Sequence, residues 1–347
     1  MSYSEITLLP LNQIIVAERD EPILDAALRA GLNLPHSCKA GHCTSCRARI
    51  LSGAVRYPRG RPLGLTESEE RSGLALLCQA VAESKQIAIE VRSVQSQPAI
   101  QVKSLPCRIE RLRPVAPDVM AVELRLPASE EFAYVAGQYV DIMLPQGRRR
   151  SFSIASAPTS EPFIELHVRR VPNGEFTEQL FGSMHTKTLL RIEGPLGQFW
   201  FRSSSPRSAI MIGGGTGYAP LRAMLSDLAA RDDRRYLHLY WGGRTPADLY
   251  EHDDLVARTV EQPNFRYTPV ISMPEPGWTG RTGFVHAAAL ADFPRLFDYD
   301  VYASGPPAMV EAIRQEFVER GLPPEQLFFD SFDYAPDTLA KMGPPAR

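Results

Sequence analysis

The 347-residue chain predicts a multidomain fold: a β-grasp module, then an antiparallel β-barrel, then an α/β doubly wound lobe. Three observations carry this. Period-two segments and one short helix flank a cysteine-bearing loop before Arg92. From Lys103 to Ser205 short strand patterns follow one another between Pro and Gly punctuation. Beyond Ser205 strands alternate with helices, the order of a parallel sheet covered on both faces.

The first module opens with alternating strand residues and continues into PILDAALRAG, where Ile23, Ala26, Ala27 and Ala30 recur at helical spacing and Gly31 supplies a stop. It closes on QIAIEVR, in which Ile87, Ile89 and Val91 alternate with polar residues as in a half-buried strand. A stretch rich in Ser, Gln and Pro follows and reads as a linker. In the barrel region VMAVELRLP sets Val122, Leu124 and Leu126 on one face and Glu123 and Arg125 on the other. GQYVDIMLP, RSFSIAS, FIELHVRRV and LLRIEGPLGQFWF supply the other strands. In the last region SAIMIG leads into a helix whose Leu221, Met224, Leu225 and Leu228 form one stripe. RYLHLYWGG, FRYTPVIS, DYDVYAS and EQLFFDSF are the remaining strands. The expected boundaries are 1–95, a linker at 96–103, 104–205, 206–334 and a Pro-rich tail at 335–347.

Composition excludes several classes. A net charge of −2 argues against a nucleic-acid partner. No apolar run reaches the roughly 18 residues of a membrane span, and no signal peptide is read, so the expectation is a cytoplasmic protein without a membrane. Of five cysteines, Cys107 stands apart and reads as a buried small hydrophobe. The other four, Cys38, Cys43, Cys46 and Cys78, form C-x₄-C-x₂-C with a distant fourth, the spacing of a plant-type [2Fe–2S] site. Gly41, Thr44 and Ser45 suit a tight loop whose N–H groups turn toward sulfur. A structural zinc site or two disulfides are the alternatives for these residues.

MIGGGTGYAPL follows a strand and opens a helix, the setting of a nucleotide loop. From Gly215 it reads G-x-G-x-x-P, with Pro220 in the first helical turn where proline is tolerated. The variant resembles the nucleotide turn of the ferredoxin–NADP reductase superfamily, which implies close approach of a pyrophosphate at Gly215 and Gly217 and a nicotinamide end positioned by Thr216. A glycine-rich turn without a ligand is the alternative.

The HSCKAGHCTSCRARI run resembles plant-type ferredoxins, and the whole chain to about Tyr334 resembles the N-terminal-ferredoxin class of the ferredoxin–NADP reductase superfamily. R-x-F-S at Arg150, Phe152 and Ser153 resembles that superfamily's flavin motif. The resemblance implies that Arg150 pairs with a flavin phosphate, Phe152 packs on the flavin and Ser153 hydrogen-bonds near its N5. HVRRVPNGEFTEQLF implies an FAD pyrophosphate at the Gly174–Thr177 turn, where a helix end offers free N–H donors, with His167 and Val168 of the preceding strand counted in the flavin set. Thr177 as an ordinary N-cap is compatible with that role. WGGR places Arg244 after the second strand, and ASGPPAMV places Gly305 and Pro306 like the turn the family sets beside the nicotinamide. Ser304 stands where a cysteine is common in the family. By that resemblance Phe332 is the candidate for the C-terminal aromatic over the flavin, with a core phenylalanine as the alternative reading and Tyr334 competing. No Asp or Glu ends the second strand to hold a ribose 2′-OH, and Arg244 alone would tolerate a 2′-phosphate. NADH is the expected donor by resemblance, with NADPH as the alternative.

NADH yields two electrons as a hydride and an iron–sulfur cluster accepts one, so a flavin between them makes a two-to-one converter. No acid–base dyad is needed; in that respect Asp141, His167 and His185 read as structural or peripheral. The class includes reductases of ring-hydroxylating dioxygenases and multicomponent monooxygenases, and the CDP-6-deoxy-Δ3,4-glucoseen reductases of 3,6-dideoxyhexose synthesis. LPHSCKAGHC and YWGGRTPADLY most resemble the last, which implies a dehydrase as the protein acceptor of the electrons. An oxygenase component is the alternative acceptor. A zinc-holding nucleotide sensor is the alternative of a different class. Lys39, Arg47, Arg49, Arg56, Arg59 and Arg61 near the loop raise the expectation of a basic docking face for that acceptor.

Overall fold

A computed structural model of the chain describes residues 3–32, 34–36, 39, 41, 46–62, 64–91, 100–158 and 163–332. It divides into two compact units, one holding residues 1–103 with 194–198 and the other the remainder.

The first unit is built on β1 (Ser4–Leu9), β2 (Gln13–Ala17), α1 (Ile23–Arg29), β3 (Arg47–Ser52), β4 (Val55–Arg56), α2 (Glu67–Arg71), β5 (Leu74–Leu76), β6 (Val81–Ala82) and β7 (Gln86–Glu90). Its main sheet runs in the order β2-β1-β7-β3-β5, with β1 and β7 parallel at the centre. Ile87 and Ile89 point inward as their alternation requires, and Ile23, Ala26 and Ala27 of α1 close the core. Ala30 is exposed instead: it is the C-cap of α1, and Gly31 at φ +81° ends the helix after it.

The second unit begins at Ser104, within β8 (Lys103–Ala116), and takes in β9 (Val119–Arg125), β10 (Tyr139–Met143), β11 (Arg149–Ser153), β12 (Phe163–Arg169), α3 (Glu175–Gly182) and β13 (Leu189–Leu196) as far as Glu193. Strand order is β11-β10-β13-β8-β9-β12, and an Ile154–Leu166 bridge joins the two ends, so the sheet closes as a barrel. Val122, Leu124 and Leu126 face its interior with Ile142, Ile164 and Val168. Cys107 lies on that same inward face, and burial pushes its thiol up to about 12, consistent with a packing role.

The rest comprises β14 (Ser208–Gly214), α4 (Tyr218–Ala230), β15 (Leu237–Gly243), α5 (His252–Glu261), β16 (Phe265–Ile271), β17 (Arg281–Thr282), α6 (Val285–Asp292), β18 (Tyr299–Gly305), α7 (Pro307–Glu319) and β19 (Leu327–Ser331). All neighbours in the sheet β17-β16-β15-β14-β18-β19 are parallel. The chain moves outward from β14 on one side and returns to β18 on the other, so the strand order reverses at the β14/β18 junction. Open parallel sheets bind ligands outside the carboxyl ends of strands at that junction. The α4 stripe of Leu221, Met224, Leu225 and Leu228 packs on β14 and β15. No helix among the described residues is long and apolar enough to cross a membrane. Residues 96–99 of the expected linker lie outside the described residues, as do Tyr334 and the tail, and its last residue, Lys103, already opens β8.

Ile142 is fully buried in the barrel. Ile142→Ala should lower stability by about 2–5 kcal/mol, read by denaturant unfolding; a loss near zero would contradict the assigned inward face.

Candidate functional site

The junction of β14 and β18 is held by contacts that leave no space for a side chain. A β-carbon on Gly217 would lie 2.0 Å from the Ser304 carbonyl oxygen, so the turn after β14 rests on the end of β18. Gly305, at φ +149°, similarly abuts the backbone of Gly214. Ser304 pairs in register with Gly213 on one side and Asp330 on the other. Its hydroxyl is fully buried and has no hydrogen-bond partner in the structure, an orphaned polar atom suited to a ligand that supplies one. Pro306 is exposed beside it, and the Phe332 N–H donates to the Gly305 carbonyl at 2.9 Å. Thr216 is half-buried on the turn itself. The Trp241 indole N–H donates to the Gly215 carbonyl at 2.9 Å, and Tyr218 stacks on Trp241 with ring centroids 4.0 Å apart.

The barrel reaches the same region. Ser153, buried at the end of β11, donates to Asp330 of β19 at 3.3 Å. Phe152 lies 5.4 Å from the Phe176 ring. Of the arginine run, Arg148 pairs with Glu175 and Arg149 with Glu193, whereas Arg150 donates to the Arg149 carbonyl at 2.8 Å. Arg149 also stands 3.7 Å from buried Asp141, which accepts from Ser151. Gly174, rather than Thr177, occupies the N-cap of α3. The Thr177 hydroxyl lies inside the first turn, accepting from the Val171 N–H and donating to its carbonyl, both at 3.1 Å. The tight Val171–Gly174 turn captures the hydroxyl first.

Strand alternation on β12 sends Val168 into the barrel core and His167 and Arg169 to the opposite face. His167 Nδ1 lies 2.9 Å from the Tyr250 hydroxyl, and its Nε2 lies 3.0 Å from Glu165. Both ring nitrogens are thus engaged, so any part of His167 in flavin binding falls to its backbone. Arg222 bridges Glu165 at 3.2 Å and Glu251 at 2.9 Å, and Tyr218 donates to Glu251 at 2.8 Å. Burial pushes the Glu165 carboxyl up, but His167, Arg222 and Arg113 outweigh it and hold it below the usual carboxylate range. Burial and the Glu251 charge push the Tyr218 hydroxyl well up, so it stays a proton donor. His185 sits apart, on an exposed turn.

Arg169 and Arg244 each contact both Asp118 and Asp248. Arg169 is 2.8 Å from Asp248 and 3.6 Å from Asp118; Arg244 is 3.0 Å from Asp118 and 3.2 Å from Asp248. Asp248 also accepts from the Arg244 and Thr245 N–H groups, at 2.8 and 3.2 Å. Burial raises the Asp248 pKa, but Arg244 and Arg169 more than reverse this and hold it at about 2. The sequence reading missed Asp330, Arg169, Asp118 and Asp248. The usable signal for Asp330 was an acidic residue inside an otherwise apolar strand; the others look like ordinary surface charges.

In the first unit, Cys46 precedes β3 and Cys78 follows β5, both buried. The Leu77 N–H donates to the Cys46 carbonyl at 3.1 Å, which sets the two cysteines on neighbouring backbone. A β-carbon on Gly41, at φ +80°, would approach Pro62 to 2.7 Å, and Gln79 donates to the Lys39 carbonyl at 2.8 Å. Two buried soft donors on neighbouring backbone fit an iron–sulfur cluster. Cys38, Cys43, Thr44 and Ser45 lie outside the described residues. The expected basic docking face is largely compensated: Arg47 pairs with Glu69, Arg56 with Asp20, Arg49 with Glu90 at 3.9 Å and Arg61 with Glu70 at 3.7 Å.

Comparison with known proteins finds three family models in succession along the chain. The 2Fe-2S iron-sulfur cluster binding domain matches residues 6–83, the oxidoreductase FAD-binding domain 106–201 and the oxidoreductase NAD-binding domain 211–315. The CDP-6-deoxy-L-threo-D-glycero-4-hexulose-3-dehydrase reductase of Yersinia pseudotuberculosis is 39% identical over 94% of this chain and 98% of its own length. The phenol hydroxylase P5 protein of Acinetobacter pittii is 33% identical over 98% of this chain and 97% of its own. Among solved structures, the Amycolatopsis cytochrome P450 reductase GcoB superposes with a TM-score of 0.81 at 32% identity, covering 95% of this chain and 98% of that one.

Fold and sites together define an NAD(P)H-dependent oxidoreductase that uses FAD and a [2Fe–2S] cluster. The chain belongs to the N-terminal-ferredoxin class of the ferredoxin–NADP reductase superfamily, the family of these reductases.

Two outcomes follow from the geometry. Gly217→Ala should abolish NAD⁺ binding measured by calorimetry, since the turn must leave Ser304; retained affinity would contradict the close packing. Asp248 is held below its unfolded value of about 3.9, so its pairing adds stability above that pH and loses it as the pH falls toward about 2. Melting temperatures of the parent and Asp248→Asn should differ most above about pH 4 and converge near pH 2. A gap independent of pH would contradict the pairing.

Proposed function

We propose that the chain oxidises NADH and delivers single electrons to the dehydrase of CDP-3,6-dideoxyhexose synthesis. The observation that carries this is the near end-to-end match to the Yersinia dehydrase reductase, 39% identical over 98% of that protein. Bound FAD would accept the hydride and pass electrons one at a time to the cluster. The modules of this reading span 1–95, 104–205 and 206–334.

The chain's own residues divide the work by position. Gly215, Thr216, Gly217, Gly305 and Pro306 shape the nicotinamide side of the strand junction, and the Ser304 hydroxyl meets the ring or its carboxamide. Ser153, oriented by Asp330, addresses the flavin edge, with Phe152 packing behind it and Phe332 covering it. Arg150 and the Gly174–Thr177 turn take the phosphates. In that turn the N–H groups at the head of α3 do the binding, since the Thr177 hydroxyl is engaged with Val171. Cys38, Cys43, Cys46 and Cys78 ligate iron. Catalysis would be chiefly positioning: hydride transfer between the bound cofactors would need no proton relay from these residues. Support for NADH over NADPH comes from Arg244, whose guanidinium is already matched by Asp248 and Asp118.

An oxygenase component is the second reading, favoured by the 33% identity to the phenol hydroxylase P5 protein over nearly its whole length. Reconstitution separates the two. With NADH, the chain should support turnover of a purified dehydrase of the Yersinia type at least tenfold faster than hydroxylation by a phenol hydroxylase oxygenase. The reverse order would overturn the dehydrase assignment.

A further inference from the structure

Arg169, Asp118, Arg244 and Asp248 form a closed ring of alternating charge, and it lies along the path a dinucleotide must take. Arg169 stands 3.5 Å from where a β-carbon of Gly215 would sit, beside the turn that meets a pyrophosphate. Arg244 follows the second strand of the parallel sheet, where the adenosine ribose of a dinucleotide lies and where an arginine admits a 2′-phosphate. Two arginines and two aspartates sum to zero, so neither guanidinium offers net positive charge to an added phosphate.

The two carboxylates are not equivalent. Asp248 is buried and fixed within its own loop, where it satisfies the Arg244 and Thr245 N–H groups; it shapes the backbone after β15. Asp118 comes from the barrel, on the turn between β8 and β9, and its backbone carbonyl accepts from the Arg170 N–H at 2.7 Å. Its carboxylate reaches out to Arg244 and Arg169.

We propose that Asp118 is a specificity-determining residue that disfavours a 2′-phosphorylated nucleotide by holding the Arg244 guanidinium and keeping a negative charge where that phosphate would sit. An unphosphorylated ribose needs only a hydrogen-bond partner and tolerates this neutral ring. A 2′-phosphate, with a charge between −1 and −2, would have to displace Asp118 and then remain close to both carboxylates. Removing one charge by Asp118→Asn leaves the ring with a net positive charge and frees Arg244 for bidentate phosphate contact. The inference rests on the nucleotide site of the proposed function, but concerns the change in discrimination and not its starting value.

The test is equilibrium binding of 2′,5′-ADP and of ADP to the FAD-loaded full chain, by titration calorimetry at low salt, where charge effects are least screened. The quantity read is the ratio of the two affinities. Asp118→Asn should raise the ratio in favour of 2′,5′-ADP at least tenfold, and adding Arg244→Gln should remove that gain. Asp118→Ser, read the same way, covers the case in which the asparagine variant does not fold. An unchanged ratio, or a gain that survives loss of Arg244, overturns the proposal. A parent protein that already prefers 2′,5′-ADP would sink the NADH assignment alone, because the shift on substitution would still report on Asp118.

Discussion

Everything on the nucleotide side depends on the absence of side chains at the β14/β18 junction. The turn at Gly217 lies directly on the Ser304 carbonyl, so the end of one central strand is the floor for the loop leaving the next. That contact brings the glycine-rich turn, the Gly305 corner and the start of α4 to one edge of the sheet. It also buries Ser304 so completely that its hydroxyl has no hydrogen-bond partner among the described residues. A side chain at Gly217 or Gly305 would push the loop outward and separate the groups that must converge. The Trp241 bond to the Gly215 carbonyl and the Tyr218 stack reinforce the same position from the other side.

From that floor, the contacts between barrel and nucleotide lobe follow as a set of charged and aromatic bridges. Strand β12 presents His167 and Arg169 outward on its alternating face, and the lobe answers with Tyr250 and Asp248. Arg222 of α4 reaches back to Glu165 and to the Ala155 carbonyl. Such networks contribute modestly to stability when exposed and much more to geometry when buried and fully satisfied. Their place here, bridging the barrel and the parallel-sheet lobe, fits a positioning role. Ser153 and Asp330 extend this pattern across the barrel's open end.

Much of this was legible in the sequence, for physical reasons that differ between elements. Val122, Leu124 and Leu126 had one reading, because period-two burial admits no other face, and the α4 stripe had one because four apolar residues at helical spacing cannot all face water. The cysteine spacing was legible because few metal centres share it. What escaped was every partnership made across long sequence separation. Ser153 and Asp330 are 177 residues apart, and Arg244 and Asp118 are 126 apart. Local pattern says which face a residue takes, but not what the opposite face brings to it. Arg244 therefore read as a lone cation, and Arg47 and its neighbours as an open basic surface, when carboxylates distant in sequence match most of them. Thr177 failed differently: a threonine near a helix start invites a capping role, but the preceding turn binds its hydroxyl more closely.

The central claim is that electrons leave through the cysteine-bound iron after entering as a hydride. Anaerobic mixing of NADH with the loaded protein, followed by electron paramagnetic resonance, tests it most directly when the parent is compared with Cys46→Ser. The account predicts a reduced [2Fe–2S] signal in the parent only, and in the variant an intact NADH-driven bleaching of the flavin with electron delivery to the protein acceptor lost. Undiminished acceptor reduction by the variant would contradict it.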